Sequence, residues 1–239
     1  MGSFRNTFGR SDYHGEMTPI RCLGLLFDMD GVLVDSTAAV ARVWAIWARE
    51  HGLDPESVVK IAHGRPSIST IRELLPHADH EAEDRQVERM EIEDVEGIVA
   101  LPGAEELLRA LPPNKYAIVT SATRPLAEVR LRAAGLRVPE NLVTARDVQR
   151  GKPNPHPYLM GARILGVAPV ECVVIEDAPS GIRAGRAAGA RVVALRTTAG
   201  DAELQDAGAN WIVDDCAELT LSFKSAGEEF FLNITMRDT

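Results

Sequence analysis

Short apolar runs alternate with amphipathic segments along most of this chain, and that alternation is what a parallel sheet with crossover helices requires. The runs predict strands at residues 22–27, 116–120, 142–144, 172–175, 192–195 and 211–213. Helices are predicted between them at 104–111, 125–134, 157–165, 181–188 and 202–207. Three of these stop near a glycine, Gly135, Gly166 or Gly189, as a left-handed helix cap demands. The class is therefore α/β.

The alternation breaks once. After the first strand, roughly seventy residues carry no convincing strand, and an unstructured loop of that length is improbable in a compact domain. Val40, Val43, Trp44, Trp47 and His51 share one helical face, with the tryptophans reading as core packing. A turn at 52–55, a loop at 63–66 and a helical stretch at 68–75 follow. The reading is a core of residues 18–36 and 101–222 interrupted by a helical insertion at 37–100. Residues 1–17 and 223–239 are extensions of uncertain order, the second carrying an apolar cluster at Phe230, Phe231 and Leu232.

The insertion ends in an acidic run, 79–96, with nine acidic against two basic side chains. That local charge of −7 is most of the chain's net −9, and it is assigned to a solvated outer helix face, with a docking surface for a basic partner as the alternative. A chain this negative is a poor bulk partner for nucleic acid or an anionic membrane. No apolar run approaches the ~18 residues of a membrane span. The three cysteines form no C-x-x-C pair, and with no secretory h-region at the N-terminus a cytoplasmic setting is expected.

The chemistry-bearing residues fall at strand ends. The first strand runs into Asp28-Met29-Asp30-Gly31, where ligands bind in open α/β sheets. Two carboxylates one residue apart can converge on a metal or divide nucleophile and proton-transfer duties, and Gly31 lets the chain turn away. A calcium loop fits badly, since Gly31 is fourth from Asp28 and the twelfth position is Ala39. The second strand ends in Ser121-Ala122-Thr123-Arg124, small and hydroxyl residues ready to present N–H groups to an anion. Gly151-Lys152-Pro153-Asn154-Pro155 puts a lysine in a stiff turn, and Glu176-Asp177 follows the 172–175 strand. Singly, each reads equally well as a cap or a surface turn. Together they supply carboxylate, hydroxyl, lysine and carboxylate pair to one sheet edge.

In that order, DMDGVLVDS, VTSATR, GKPNP and EDAPSGI make the chain similar to the haloacid dehalogenase-like (HAD) hydrolases over about residues 20–215. His63-Gly64-Arg65, KPNPHPYL and EDAPSGIRAG resemble their small sugar- and polyol-phosphate phosphatases and the related β-phosphoglucomutases. The resemblance implies a Rossmann-like core with a cap of the first type. It implies a phosphoric monoester hydrolase in which Asp28 is the nucleophile and Asp30 the acid and base. Mg²⁺ would be held by Asp28, the Asp30 carbonyl and Asp177, with Glu176 as a further ligand or as support. Lys152 and Ser121 would offset charge on the phosphoryl oxygens. Substrate contacts are expected from Arg65 and His63 of the cap, and from Ala122 and Arg124. The partner expected is a small phosphorylated substrate, and the chain itself a monomer or weak homodimer. A phosphosugar mutase is the alternative within enzymes, and a non-catalytic binding protein on the same fold the alternative outside them.

Overall fold

The computed structural model describes residues 17–62, 66–223 and 230–235. Strand β1 (Met17–Cys22) gives way at Leu23 to β2 (Gly24–Phe27), whose four residues are all buried. After β3 (Val34–Asp35) come four helices: α1 (Thr37–Glu50), α2 (Pro55–Ala62), α3 (Ser67–Leu74) and α4 (His80–Glu93). Strand β4 (Val99–Ala100) then pairs antiparallel with β3, closing the helical insertion at its base.

The rest alternates as the sequence pattern requires. It runs α5 (Ala104–Ala110), β5 (Tyr116–Val119), α6 (Arg124–Ala133), β6 (Leu142–Val143), α7 (His156–Leu165) and β7 (Cys172–Glu176). It continues through α8 (Pro179–Ala187), β8 (Arg191–Leu195), α9 (Asp201–Asp206) and β9 (Trp211–Val213). The six strands form one parallel sheet in the order β6-β5-β2-β7-β8-β9. Alternation along the strands feeds two cores. Leu25, Phe27, Ile118, Val173 and Ile175 pack on one face, and Leu26, Ala117, Val119 and Val174 on the other. The chain fills one side of β2 and then crosses to the other, so the switch point, and with it the ligand crevice, lies at the carboxyl end of β2.

A third core holds the insertion together. Val43, Trp44, Trp47, Val58, Ile71 and Val87 are all buried, with Trp44 and Trp47 edge to face at 5.3 Å. The expected 22–27 strand is corrected at its start: Cys22 ends β1, and the Leu23 N–H donates to the Glu171 carbonyl at 2.9 Å. β1 belongs to a second sheet with β10 (Leu219–Phe223) and β11 (Phe230–Thr235), in the antiparallel order β1-β11-β10. The apolar cluster of the C-terminal extension is therefore packed. Phe230, Leu232 and Ile234 are fully buried, joining the core under β2. Among the described residues, no helix is long and apolar enough to cross a membrane.

Candidate active site

Asp28 follows β2 directly, its N–H donating to the Ile175 carbonyl at 2.9 Å and so prolonging the ladder with β7. This fixes the Asp28 carboxylate beside the end of β7, where Glu176 and Asp177 stand. Lys152 reaches in from the turn before α7. Its Nζ donates to Asp28 Oδ1 and to Glu176 Oε1, both at 2.8 Å, with only 5% of the side chain exposed. Glu176 also accepts from the Tyr158 hydroxyl at 2.8 Å and from the N–H groups of Asp177 and Ala178 at 2.9 and 3.0 Å. With four donors on two oxygens it is saturated, and it aims Lys152 at Asp28 while bracing the start of α8.

Asp177 is different. Its Oδ2 accepts from Thr198 Oγ1 at 2.6 Å, but its Oδ1 is buried without a partner. Carboxylate oxygens of Asp28, Glu176 and Asp177 lie within 4.8 Å of one another. An orphaned buried carboxylate oxygen next to two more carboxylates fits a hard divalent cation such as Mg²⁺. Gly31 makes the crowding possible. Its φ is +77°, and a Cβ there would lie 2.0 Å from Asp177 Oδ2.

Charge in this cluster is strongly perturbed. Burial pushes the Asp28 carboxyl up to about 7; Lys152 pulls it back, while Glu176 pushes it further. Burial, then the neighbouring Glu176 and Asp28 charges, hold Asp177 well above the usual carboxylate range. At Glu176 burial is outweighed by Lys152 and by the donors around it, so its carboxyl is lowered and stays ionised. Burial works against the Lys152 ammonium, but Asp28 and Glu176 more than compensate and raise it. A cation at the unpartnered oxygen of Asp177 would relieve the repulsion that Lys152 alone offsets.

Asp30 stands at the rim of this cluster. Its Oδ1 accepts from Ser36 Oγ at 2.6 Å and its Oδ2 from Arg130 Nη1 at 2.9 Å. Ser36 sits at the head of α1, and Arg130 on α6 also lies 3.4 Å from Glu91 Oε1 on α4. Sequence reasoning gave no role to Ser36, Tyr158 or Glu91, although each lies in a stretch it singled out, and it did not mark Arg130 at all. Tyr158 sits within the KPNPHPYL stretch, six residues after Lys152, and only the turn into α7 brings it back onto Glu176. Ser121 is exposed just beyond β5, the strand neighbouring β2. Ala122 follows it, its N–H donating to Thr120 Oγ1 at 3.0 Å. Arg124 opens α6 but turns to the end of β6, donating to the Leu142 carbonyl at 2.8 Å and lying 3.7 Å from Asp147. His63 and Arg65 lie outside the described residues.

The acidic run needs correction. It is not all an outer face, because α4 turns Glu88 and Glu91 towards the core. Glu88 accepts from the Thr123 hydroxyl at the head of α6 and lies 3.9 Å from Arg146, while Glu91 faces Arg130. Glu83 points inward too, accepting from Trp47 Nε1 at 2.9 Å. Charge density alone had implied solvent, whereas the i, i+3 spacing of Glu88 and Glu91 places both along one side of the helix.

An aspartate pair at the carboxyl end of a central parallel strand, a buried lysine bridging it to an acidic pair on the next strand, and a helical insertion after the first define a class of α/β hydrolases. The chain belongs to the haloacid dehalogenase-like hydrolase family, whose profile matches residues 23–189. It is 49% identical over 194 residues to hexitol phosphatase A of Escherichia coli, covering 78% of this chain and 89% of that one. It is 35% identical over 200 residues to glycerol-1-phosphate phosphohydrolase 2 of Saccharomyces cerevisiae, covering 79% and 80%. The crystal structure of a hydrolase from Pseudomonas syringae superposes with a TM-score of 0.72 at 29% identity, covering 82% of this chain and 94% of that one.

Proposed function

We propose that the protein is a Mg²⁺-dependent phosphatase that hydrolyses a small sugar or polyol phosphate. One observation carries the reading: Lys152 bridges Asp28 and Glu176 beside the unpartnered Oδ1 of Asp177. This arrangement suits a nucleophile that must face an anion. The relatives, a hexitol phosphatase and a glycerol-1-phosphate phosphohydrolase, support the substrate class.

In this reading a carboxylate oxygen of Asp28 attacks phosphorus and the bond to the sugar oxygen breaks, leaving an aspartyl-phosphate. Asp30 gives its proton to the departing oxygen. It then takes one from the water that attacks the aspartyl-phosphate, releasing phosphate and restoring Asp28. Lys152 holds Asp28 in place and lowers its repulsion for the incoming phosphate, and the Ser121 hydroxyl and Ala122, just beyond β5, would bind phosphoryl oxygens. Asp28, the Asp30 carbonyl and Asp177 would hold Mg²⁺, with Glu176 supporting them from behind. The ion would supply positive charge against the phosphoryl oxygens. His63 and Arg65 are proposed, on sequence alone, as the contacts that read the sugar or polyol, and Arg124 as a support at the head of α6.

The test is phosphate release, with Mg²⁺, from a panel that includes hexitol phosphates, glycerol 1-phosphate and 2-deoxyglucose 6-phosphate. Turnover of one or more is expected, falling by at least ~10³-fold in Asp28→Asn. No release from any of them, or a wild-type rate in Asp28→Asn, would overturn the reading. Conversion of glucose 1-phosphate to glucose 6-phosphate with a bisphosphate primer would make the protein a mutase instead.

A further inference from the structure

Arg130 is the buried cation that the proposed mechanism leaves without a task. It sits on α6 among buried Leu126, Ala127 and Leu131, with 7% of its side chain exposed. An apolar residue would pack there at far lower desolvation cost. Its guanidinium is not used to satisfy itself, since Nε is buried without a partner. Instead its two terminal nitrogens reach two carboxylates on different parts of the molecule: Asp30 Oδ2 at 2.9 Å in the core and Glu91 Oε1 at 3.4 Å on the cap helix α4. Glu91 is itself nearly buried, with 12% of its side chain exposed, so neither partner of this contact is a surface charge.

The donor and acceptor chemistry gives the contact a consequence. Arginine only donates, so Asp30 Oδ2 is committed as an acceptor to a fixed cation, and the oxygen left for exchanging a proton is Oδ1. Oδ1 faces the Ser36 hydroxyl at 2.6 Å, and a hydroxyl can accept as well as donate. We propose that Arg130 is a positioning residue that reserves Oδ1 of Asp30 for the acid proton, and that Glu91 holds Arg130 to this task across the contact of α4 with α6. In the acid step the bond from phosphorus to the leaving oxygen breaks, that oxygen takes the proton from Oδ1, and Asp30 is left as a carboxylate still held by Arg130. The inference rests on the reading of Asp30 as the acid.

The experiment compares kcat/KM for a polyol phosphate, whose alkoxide leaving group needs a proton, with kcat/KM for p-nitrophenyl phosphate, whose phenolate leaves without one. Asp30→Asn is the control, and it should depress the first far more than the second. Equal depression by Asp30→Asn would overturn the acid reading and this inference with it. With that control selective, Arg130→Lys and Arg130→Met should lower the polyol phosphate rate ~10²-fold and the p-nitrophenyl phosphate rate less than ~5-fold, the mark of a misplaced acid. Equal losses on both substrates, or unchanged rates, would overturn the positioning role and leave the acid reading standing. Should Arg130→Met fail to fold, the double variant Glu91→Gln/Arg130→Met removes both buried charges together and gives the same readout. Glu91→Gln alone should show the same selectivity more weakly, and should add nothing to Arg130→Lys. Additive losses would overturn the part assigned to Glu91.

Discussion

Glu176 is held so closely that a neighbouring residue has no freedom of type. A Cβ on Gly181 would lie 1.4 Å from Glu176 Oε1 and 2.5 Å from Oε2, because the first turn of α8 closes over the carboxylate. Gly181→Ala must therefore push Glu176 off Lys152, Tyr158 and the two N–H groups it accepts from. A buried carboxylate losing such partners costs about 3 kcal/mol or more. The expected outcome is a clearly lowered Tm together with at least ~10²-fold loss of phosphatase activity, since Lys152 is then no longer aimed at Asp28. An alanine variant with wild-type Tm and rate would show that Glu176 does not hold the lysine. At this scale the sequence exposes the residues whose type is unusual for their place. Asp28, Asp30, Lys152, Glu176 and Asp177 stand at strand ends and turns, and it is their combination at one sheet edge that points to chemistry. Arg130 was invisible because its relation to Asp30 spans 100 positions and is set by how α6 packs. Tyr158 lay in the quoted KPNPHPYL stretch with no role of its own, and only the fold brings its hydroxyl to Glu176.

Elements were legible where they were periodic and local. Strands β5 to β9 and helices α5 to α9 follow from alternation and glycine stops, because each pairs with a sequence neighbour or crosses over in the usual way. β11 does not. It is a strand of six residues beyond the last crossover unit, and its partners, β1 and β10, are made of segments with weak apolar patterns of their own. It nevertheless lies in the middle of its sheet, with Phe230, Leu232 and Ile234 fully buried. Fully burying three such side chains contributes roughly 5–9 kcal/mol, which is comparable with the whole stability of a typical domain. Truncation after Phe223 is accordingly expected to give insoluble or unfolded protein, although every proposed catalytic residue is retained. A soluble truncated chain with unchanged Tm, measured by circular dichroism, would show that the second sheet is an accessory. Helix α4 failed to read correctly for a different reason. Val87 is its only buried residue, so nothing apolar announced which side faced the core, and its inward carboxylates looked like surface charge.

Over the whole molecule, the net charge of −9 divides into two populations with opposite behaviour. Part of the acidic run is matched by partners within the fold: Asp94 by Arg42 at 2.7 Å, Glu91 by Arg130, Glu88 by Thr123 and Glu83 by Trp47. The site is not matched, since Lys152 alone must serve Asp28, Glu176 and Asp177. Burial with added repulsion pushes Asp28 up to about 7 and Asp177 well above its ordinary value. A carboxyl raised on folding binds more protons in the native chain than in the unfolded one, between the ordinary value and the raised one. Stability is then full below the unfolded value, near 3.8 for Asp28, and falls as pH rises through about 7. A divalent cation held by the native site and not by the unfolded chain adds stability by mass action, and it does so most where the carboxylates are ionised. Metal-free protein, prepared with a chelator, should therefore lose the Asp28 contribution to stability between about pH 4 and about pH 7, a Tm difference of several degrees. Mg²⁺ should restore most of that loss at the upper end and change little at the lower. Differential scanning calorimetry across that range, with and without the ion, checks both arms. A metal-free Tm that stayed level, or a Mg²⁺ effect of equal size at both ends, would show that the carboxylates at the end of β2 and β7 do not carry the charge strain assigned to them.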